Sequence, residues 1–402
     1  MSIIRRHPCI SLVTLLASLC GWAAAYWRPI IGPALSSPAH SAAVLAGRPN
    51  VLSPIDNAQP WQLAEPGYKF SFPSDHASHQ PYKLEWWYYT GNLKTPAGRE
   101  FGFQLTFFRT GIVYSTQNPS RWAVRDLYPA HFAITDVQGN RFHYFERLNR
   151  RGIGWAGADE TRYRVWNDDW EARLEGDRHV LAARSGDFAI ELRLAPEKPE
   201  IVHDEGGVSQ KSGLKGYASH YYSLSRLHAS GRIEAGRHSY EVTGLAWMDH
   251  EFGSRFLDPD ETGWDWFSIQ LDDGRDLMLL QIRRSDGSVD SHSTGTLVAH
   301  DGTRTHLSFG QFSLSTQQRW RSDKSDSVYP VGWHIEVPGE GLSLDERPAI
   351  QDQELQATES TGIIYWEGAI RVSGLSGQRK VQGSGYLEMT GYAGAGLPDA
   401  LR

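Results

Sequence analysis

From Tyr82 onward, short runs rich in Trp, Tyr, Phe, Val and Ile are separated by Gly, Asp and Asn, and apolar positions recur every second residue. Phe101, Phe103, Leu105 and Phe107 alternate with Gly102, Gln104 and Thr106. A period of two places all four apolar side chains on one face of a strand. Asp273-Gly274, Asp286-Gly287 and Asp301-Gly302 supply the turn residues that hairpins need. With no sustained helical period, the pattern predicts an all-β chain.

The runs also repeat. Trp86-Trp87-Tyr88, followed by Gly98-Arg99-Glu100 and an apolar strand ending in Arg109, is echoed by Asp265-Trp266-Phe267, Gly274-Arg275-Asp276 and a strand ending in Arg283. Trp170 matches Trp333, and the run Val242 to Trp247 matches Val381 to Tyr386. Two copies in one order predict an internal duplication, with two consecutive antiparallel lipocalin-like barrels at residues 66–258 and 259–402. A propeller would need more repeats at a shorter period.

Ahead of the barrels the pattern changes. Arg5 and Arg6 precede an almost wholly apolar run from Ile10, which ends in Ala23-Ala24-Ala25. A charged start, an apolar centre and small residues at the end are the parts of an export signal, so residues 1–25 are read as a signal peptide. Residues 26–65, rich in Ala, Ser and Pro, are read as a low-complexity tether. The protein is therefore expected in the periplasm or outside the cell, with membrane tethering by an uncleaved segment as the alternative. Both cysteines, Cys9 and Cys20, lie in the signal. The exported form then has no disulfide, no thiolate nucleophile and no Cys-ligated metal.

Composition narrows the chemistry further. Forty Lys plus Arg against 47 Asp plus Glu leave a net charge of −7, without the basic excess of a nucleic-acid binder. The chain has no phosphate-binding loop, dinucleotide fingerprint, Gly-x-Ser-x-Gly elbow or His-Glu-x-x-His run, so no cofactor or metal is expected. Fifteen Trp in 402 residues exceed what an ordinary core uses, and part of them is expected to line an apolar pocket.

One run carries candidate chemistry. Trp247-Met248-Asp249-His250-Glu251-Phe252-Gly253 faces Tyr386-Leu387-Glu388-Met389-Thr390-Gly391-Tyr392 in the second copy. His250 and Glu251 have Met389 and Thr390 as counterparts, so barrel architecture does not demand them. On a strand, Asp249 and Glu251 share a face with Trp247 while His250 points to the other side. Burial against Trp and a like charge both hold one acid protonated near neutral pH. The plainer alternative pairs both acids with Arg255. Within Trp264-Asp265-Trp266 the acid lies opposite both rings and is expected to face outward. Asp75-His76 with His79 are expected in a solvated loop, and His203-Asp204-Glu205-Gly206-Gly207 is expected to open a surface loop or lid.

Taken together, Glu85-Trp86-Trp87-Tyr88-Tyr89-Thr90-Gly91, Phe103 to Arg109, Trp247 to Gly253, Gly263-Trp264-Asp265-Trp266-Phe267 and Tyr365-Trp366-Glu367-Gly368 resemble the AttH-like, carotenoid 1,2-hydratase-related group of secreted two-barrel proteins. The resemblance spans about residues 66 to 395. It implies an apolar pocket near the barrel junction, ligands of isoprenoid or lipid type and, for bacterial AttH-like members, an ABC transporter as partner. In the carotenoid hydratases a later strand supplies a Tyr-x-Asp proton donor, whereas this chain reads Leu279-Leu280-Gln281, and Gln281 cannot donate that proton. The chain is therefore closer to the AttH-like branch.

Two functions follow as expectations. In the first, an enzyme, Asp249 or Glu251 is the general acid, His250 orients a water or relays the proton, and Trp86, Trp87, Trp247, Trp264, Asp265, Trp266 and Gln281 hold an apolar ligand. In the second, a lipid carrier or chaperone, the same pocket binds without chemistry. An enzyme keeps its acids inside the cavity with few basic partners, whereas a carrier has them salt-bridged at the rim.

Overall fold

A computed structural model describes residues 61–394. The signal peptide and all of the tether except its last five residues lie outside the described residues. Those five run along the first barrel, where Trp61 packs edge-on to Tyr114 and Ala64 joins Val208 and Ala218 in a small buried cluster.

Among the described residues the chain is all-β, with three 3-10 turns among its strands. One antiparallel sheet has the order Arg141–Arg150, Asp126–Asp136, Glu100–Gly111, Leu84–Lys94, His238–Arg255, Ala218–Ala235, Phe188–Pro196, Arg178–Ser185, Trp170–Glu175, Arg164–Asn167, Ala156–Ala158. The other has the order Arg304–Leu307, Thr294–Val298, Asp276–Arg284, Glu261–Leu271, Arg379–Met389, Ile363–Ser376, Leu342–Pro348, Val328–Val337, Ser313–Arg321. Read strand by strand, the nine strands of the second order match the first nine of the first, which continues with Arg164–Asn167 and Ala156–Ala158, and this is the duplication in three dimensions. One match slips: Trp170 opens a strand whose counterpart is Ser313–Arg321, whereas Trp333 lies one strand further on. Both rings are nonetheless in the cores, so apolar demand rather than descent made them look equivalent.

Side-chain alternation sets which face is the core. Phe101, Phe103, Leu105 and Phe107 all point into the first sheet's interior beside Trp87, Tyr89 and Trp170. The first sheet curls until its ends nearly meet, and Asn149 donates to Asn167 Oδ1 at 2.7 Å across the seam. The intervening positions in 84–93, 218–225 and 246–254 do not face water. They pack on the second sheet, so these stretches are buried on both faces, whereas His228, Arg232, Glu241 and Thr243 in the far halves of the two long strands are exposed.

Several polar contacts bolt the sheets together. Asn92 donates to the carbonyl of Gly385 at 2.9 Å, and Gln270 donates to Ala246 O at 3.0 Å. Gly385 has no room for a side chain, because the Ser268 carbonyl oxygen occupies the space a Cβ would need. A bulge between Leu224 and Leu227 turns Ser225 and Arg226 toward the second sheet, where both bind Asp276.

Two loop expectations are overturned. His76 is buried and hydrogen-bonds the Tyr222 hydroxyl at 2.6 Å, and His79 bonds Glu85, so the Asp75 to His79 segment packs into the first barrel rather than floating in solvent. His203 is fully buried between the sheets, and Val208–Gln210 pairs with Ala218–Ala235, so this stretch is structural rather than a surface lid. In both cases polar residues suggested exposure, but each found a partner that offsets desolvation.

Candidate functional site

Where the outer faces of the two sheets meet, packing leaves an apolar cleft of about 210 Å³. Its walls come from alternate residues of each strand: Trp86 and Tyr88 from Leu84–Lys94, Tyr221 from Ala218–Ala235, Trp264 and Trp266 from Glu261–Leu271, Leu280 and Ile282 from Asp276–Arg284. Trp266 donates to the Tyr221 hydroxyl at 3.1 Å and meets Tyr88 edge-on, which locks the aromatic wall.

Acids converge on this cleft. Asp249 is buried, and its Oδ1 accepts from Trp247 Nε1 at 2.7 Å and from Ser223 Oγ. Burial pushes its carboxyl up to about 7, against the lowering effect of those hydrogen bonds and with a further push from Glu251. Glu388, on the facing strand, accepts from Trp264 Nε1 at 3.2 Å. Burial, reinforced by Asp249 and Glu251, raises it to about 7 as well. Behind it Glu367 accepts from the Tyr88 hydroxyl at 2.6 Å, and burial holds its carboxyl well above the usual range. Glu251 differs: Lys211 Nζ sits 2.7 Å away and Ser219 also donates to it. The Arg255 pairing is therefore replaced by Lys211, delivered by the segment expected to be a lid.

Raised carboxyls make stability depend on pH in a definite direction. In the unfolded chain these acids lose their protons near pH 4, whereas Asp249 and Glu388 hold theirs to about 7 when folded. Between those limits the native state binds more protons, so this contribution is fully present below about pH 4, is lost as pH rises toward 7, and is flat above. The Asp249→Asn, Glu388→Gln double variant is expected to lose less stability than the parent between pH 5 and pH 8 in urea titrations. An equal loss in both proteins would refute the assignment.

The sequence-predicted residues divide by strand face. Asp249, Glu251, Trp86, Trp264 and Trp266 line the cleft, and Trp247 packs directly behind Asp249. His250, Trp87, Asp265 and Gln281 do not reach it. Trp87 lies in the first barrel core and donates to His76 O at 3.0 Å. His250 stacks on Trp87 and binds Tyr222 and Glu85, each at 3.0 Å; burial lowers its pKa to about 4. A relay from His250 to Asp249 would have to cross the sheet. Asp265 is not outward-facing: it is fully buried inside the second sheet, with Arg283 at 3.1 Å, Gln281 at 3.1 Å and Tyr392 at 3.0 Å.

His79, Glu85 and His250 bring ligand-type atoms within 4.8 Å of one another. Glu85, however, already accepts from Ser78, His79, Arg109 and His250. Burial opposes ionisation, but the Arg109 guanidinium and the two imidazoles hold its carboxyl well below the ordinary range. The cluster is a saturated hydrogen-bond hub, and its guanidinium repels a metal ion.

Reading the sequence missed Ser223, Tyr221, Lys211, Glu367 and, as a functional group, Glu388. Alternation contained the signal for two of them: Ser219, Tyr221, Ser223 and Ser225 share one face of a strand whose other face is core. His203 extends that face, with Nε2 at 2.6 Å from Ser223 and Nδ1 at 2.8 Å from Thr296 of the second sheet. Because burial keeps this imidazole neutral, one nitrogen donates to Ser223 while the other accepts from Thr296, and Ser223 passes its proton toward Asp249.

Comparison with known proteins agrees with this architecture. The AttH-like family model matches residues 63–392. The crystal structure of a protein assigned as AttH from Nitrosomonas europaea is 36% identical, with a TM-score of 0.76, covering 83% of this chain and 99% of that one. Kievitone hydratase from Nectria haematococca shares the fold at a TM-score of 0.62 and 14% identity, covering 80% of this chain and 92% of that one. No curated protein matches in sequence. A match that begins ahead of the first strand, at residue 63, and ends just past the last, at residue 392, spans the whole two-sheet unit, and the chain belongs to the AttH-like family.

Proposed function

We propose that the protein binds an apolar, isoprenoid or lipid-like ligand in the cleft between its barrels and adds or removes water by acid catalysis. The observation that carries this reading is the pair of buried carboxyls, Asp249 and Glu388, both poised at about 7 over an aromatic wall. General acids work best with a pKa near the working pH. In the hydration direction, the Asp249 carboxyl gives its proton to an alkene carbon. The resulting cation lies against the faces of Trp264 and Trp266. Water adds to it while the Glu388 carboxylate takes the released proton, so the net change is one water. Ser223 and Trp247 orient Asp249 through its Oδ1.

A protein of the same fold is a hydratase, which is compatible with this chemistry. The proposal includes export, with an ABC transporter as the partner that supplies or receives the ligand. The carrier alternative requires the acids to be salt-bridged at a rim. Glu251 is ion-paired, but it is buried, and Asp249 is held by neutral donors.

Binding is tested first with N-phenyl-1-naphthylamine, whose fluorescence rises in apolar sites. Leu280→Trp and Ile363→Trp, which fill the cleft from two different strands of the second sheet, are each expected to weaken dye binding about tenfold or more, the scale set by about 1.4 kcal/mol of lost apolar contact. Dye affinity equal to the parent in both variants would place the ligand elsewhere and overturn the proposal.

A further inference from the structure

We propose that the apolar rim beside the cleft is a docking surface for an anionic lipid bilayer. This rests on the cleft being a site for apolar ligands. Two segments build the rim: residues 112–125, between the strands Glu100–Gly111 and Asp126–Asp136, and residues 147–157, from the end of Arg141–Arg150 onward. They pack on each other, with the Trp122 and Trp155 rings edge-to-face at 6.1 Å and the Arg121 carbonyl against Gly152.

Large apolar side chains there face water. Trp122 is 57% exposed, Ile112 49%, Trp155 47% and Leu148 43%. Scattered exposed hydrophobes are ordinary, but a contiguous group with two tryptophans marks an interaction site. Ile112 and Leu148 belong both to this rim and to the cleft wall, so the exposed surface runs without a break into the binding site.

Charge selects the occupant. Residues 112–125 and 147–157 contain five arginines (121, 125, 147, 150 and 151) and no acid, in a chain whose net charge is −7. Arg147 reaches Asp169, Arg151 reaches Glu160, and Arg125 lies 3.7 Å from the buried Asp126. Arg150 instead donates to the Trp122 carbonyl at 2.8 Å and lies 4.8 Å over its ring. Tryptophan with arginine over its ring is a pairing that suits a membrane interface, where the ring enters the headgroup layer and the guanidinium binds phosphate. An apolar ligand has little solubility in water, so a cleft that opens against the bilayer can take it up without an aqueous step.

The test uses the full chain with vesicles of phosphatidylcholine alone or mixed with phosphatidylglycerol. Binding to the mixed vesicles is expected, weakening with added salt. Trp122→Ala/Trp155→Ala and the charge variant Arg121→Gln/Arg150→Gln are each expected to lower vesicle affinity about tenfold or more, since interfacial aromatics and arginines each add to binding. Brominated lipids are expected to quench the parent's tryptophan fluorescence and to quench the Trp122/Trp155 variant less. Undiminished binding or undiminished quenching in the variants would overturn the proposal, because contact would then be made by another part of the chain. Absent vesicle binding would overturn it too, and would leave the rim to a protein partner. Naphthylamine binding is expected to survive in the rim variants, so its loss in the cleft variants alone reports on the ligand site and vesicle binding alone reports on the rim.

Discussion

Replacing Asp249 with Asn is expected to stop turnover while leaving the ligand in place. Asn retains the shape and an oxygen that can accept from Trp247 and Ser223, so the cleft geometry survives. What disappears is a proton held near pH 7, and loss of a general acid lowers rate about 10²–10⁴-fold. Native mass spectrometry of the protein purified from the cells that make it checks this. The parent and the variant should carry species that differ in mass by one water, with the unreacted form accumulating on the variant. The same species in the same proportion on both would sink the enzyme reading and leave a carrier. Glu388→Gln is expected to slow the step as well, because its carboxyl too is raised to about 7, by burial and by the nearby Asp249 and Glu251.

The largest effect on stability is expected at Arg109, far from that chemistry. Its guanidinium is fully buried, 3.0 Å from the equally buried Glu85, and it also donates to the carbonyls of His79 and Tyr82. Arg109→Met leaves the Glu85 charge without its main compensation, and breaking a buried pair by one partner costs about 3–5 kcal/mol. The double variant Arg109→Met/Glu85→Gln removes both charges and is expected to recover much of that loss. Urea unfolding of the single and double variants decides it: a single-variant loss below about 1 kcal/mol would show that the pair does not hold the barrel end. The pH response has the opposite sign from that of the cleft acids. Glu85 is depressed when folded, so its contribution is present above about pH 4.5 and is lost as acid protonates it. In the Arg109 variant that acid sensitivity is expected to shrink.

These two sites show how much of the protein was legible beforehand. The strand Glu100–Gly111 was readable because its apolar face obeys a period of two, and Asp249 could be placed with Trp247 on one face by the same rule. The same rule already set His250 on the far side, and the structure shows what is there: Glu85 and Tyr222 rather than the cleft. Asp265 was harder, since an acid between two tryptophans reads as the exposed member of its strand. Only Gln281 and Arg283 from the neighbouring strand Asp276–Arg284, together with Tyr392 from the end of the second sheet, make its burial tolerable.

What the sequence determined by itself was local and periodic: strands, hairpin turns, the repeated order of two sheets and the family they belong to. Strands and turns follow from side-chain alternation and turn geometry, which act over a few residues, the repeated order from self-similarity of the two halves, and the family from the resemblance of their Trp-rich motifs. The tertiary structure decided which outer faces meet, and so which acids share one cleft. Glu388 and Asp249 are remote in sequence, and each is an ordinary strand carboxylate until the opposite sheet covers it. Burial then raises both to about 7, with a further push from Glu251 on Asp249 and from Asp249 and Glu251 on Glu388, a property of the assembled interface that no segment carries alone.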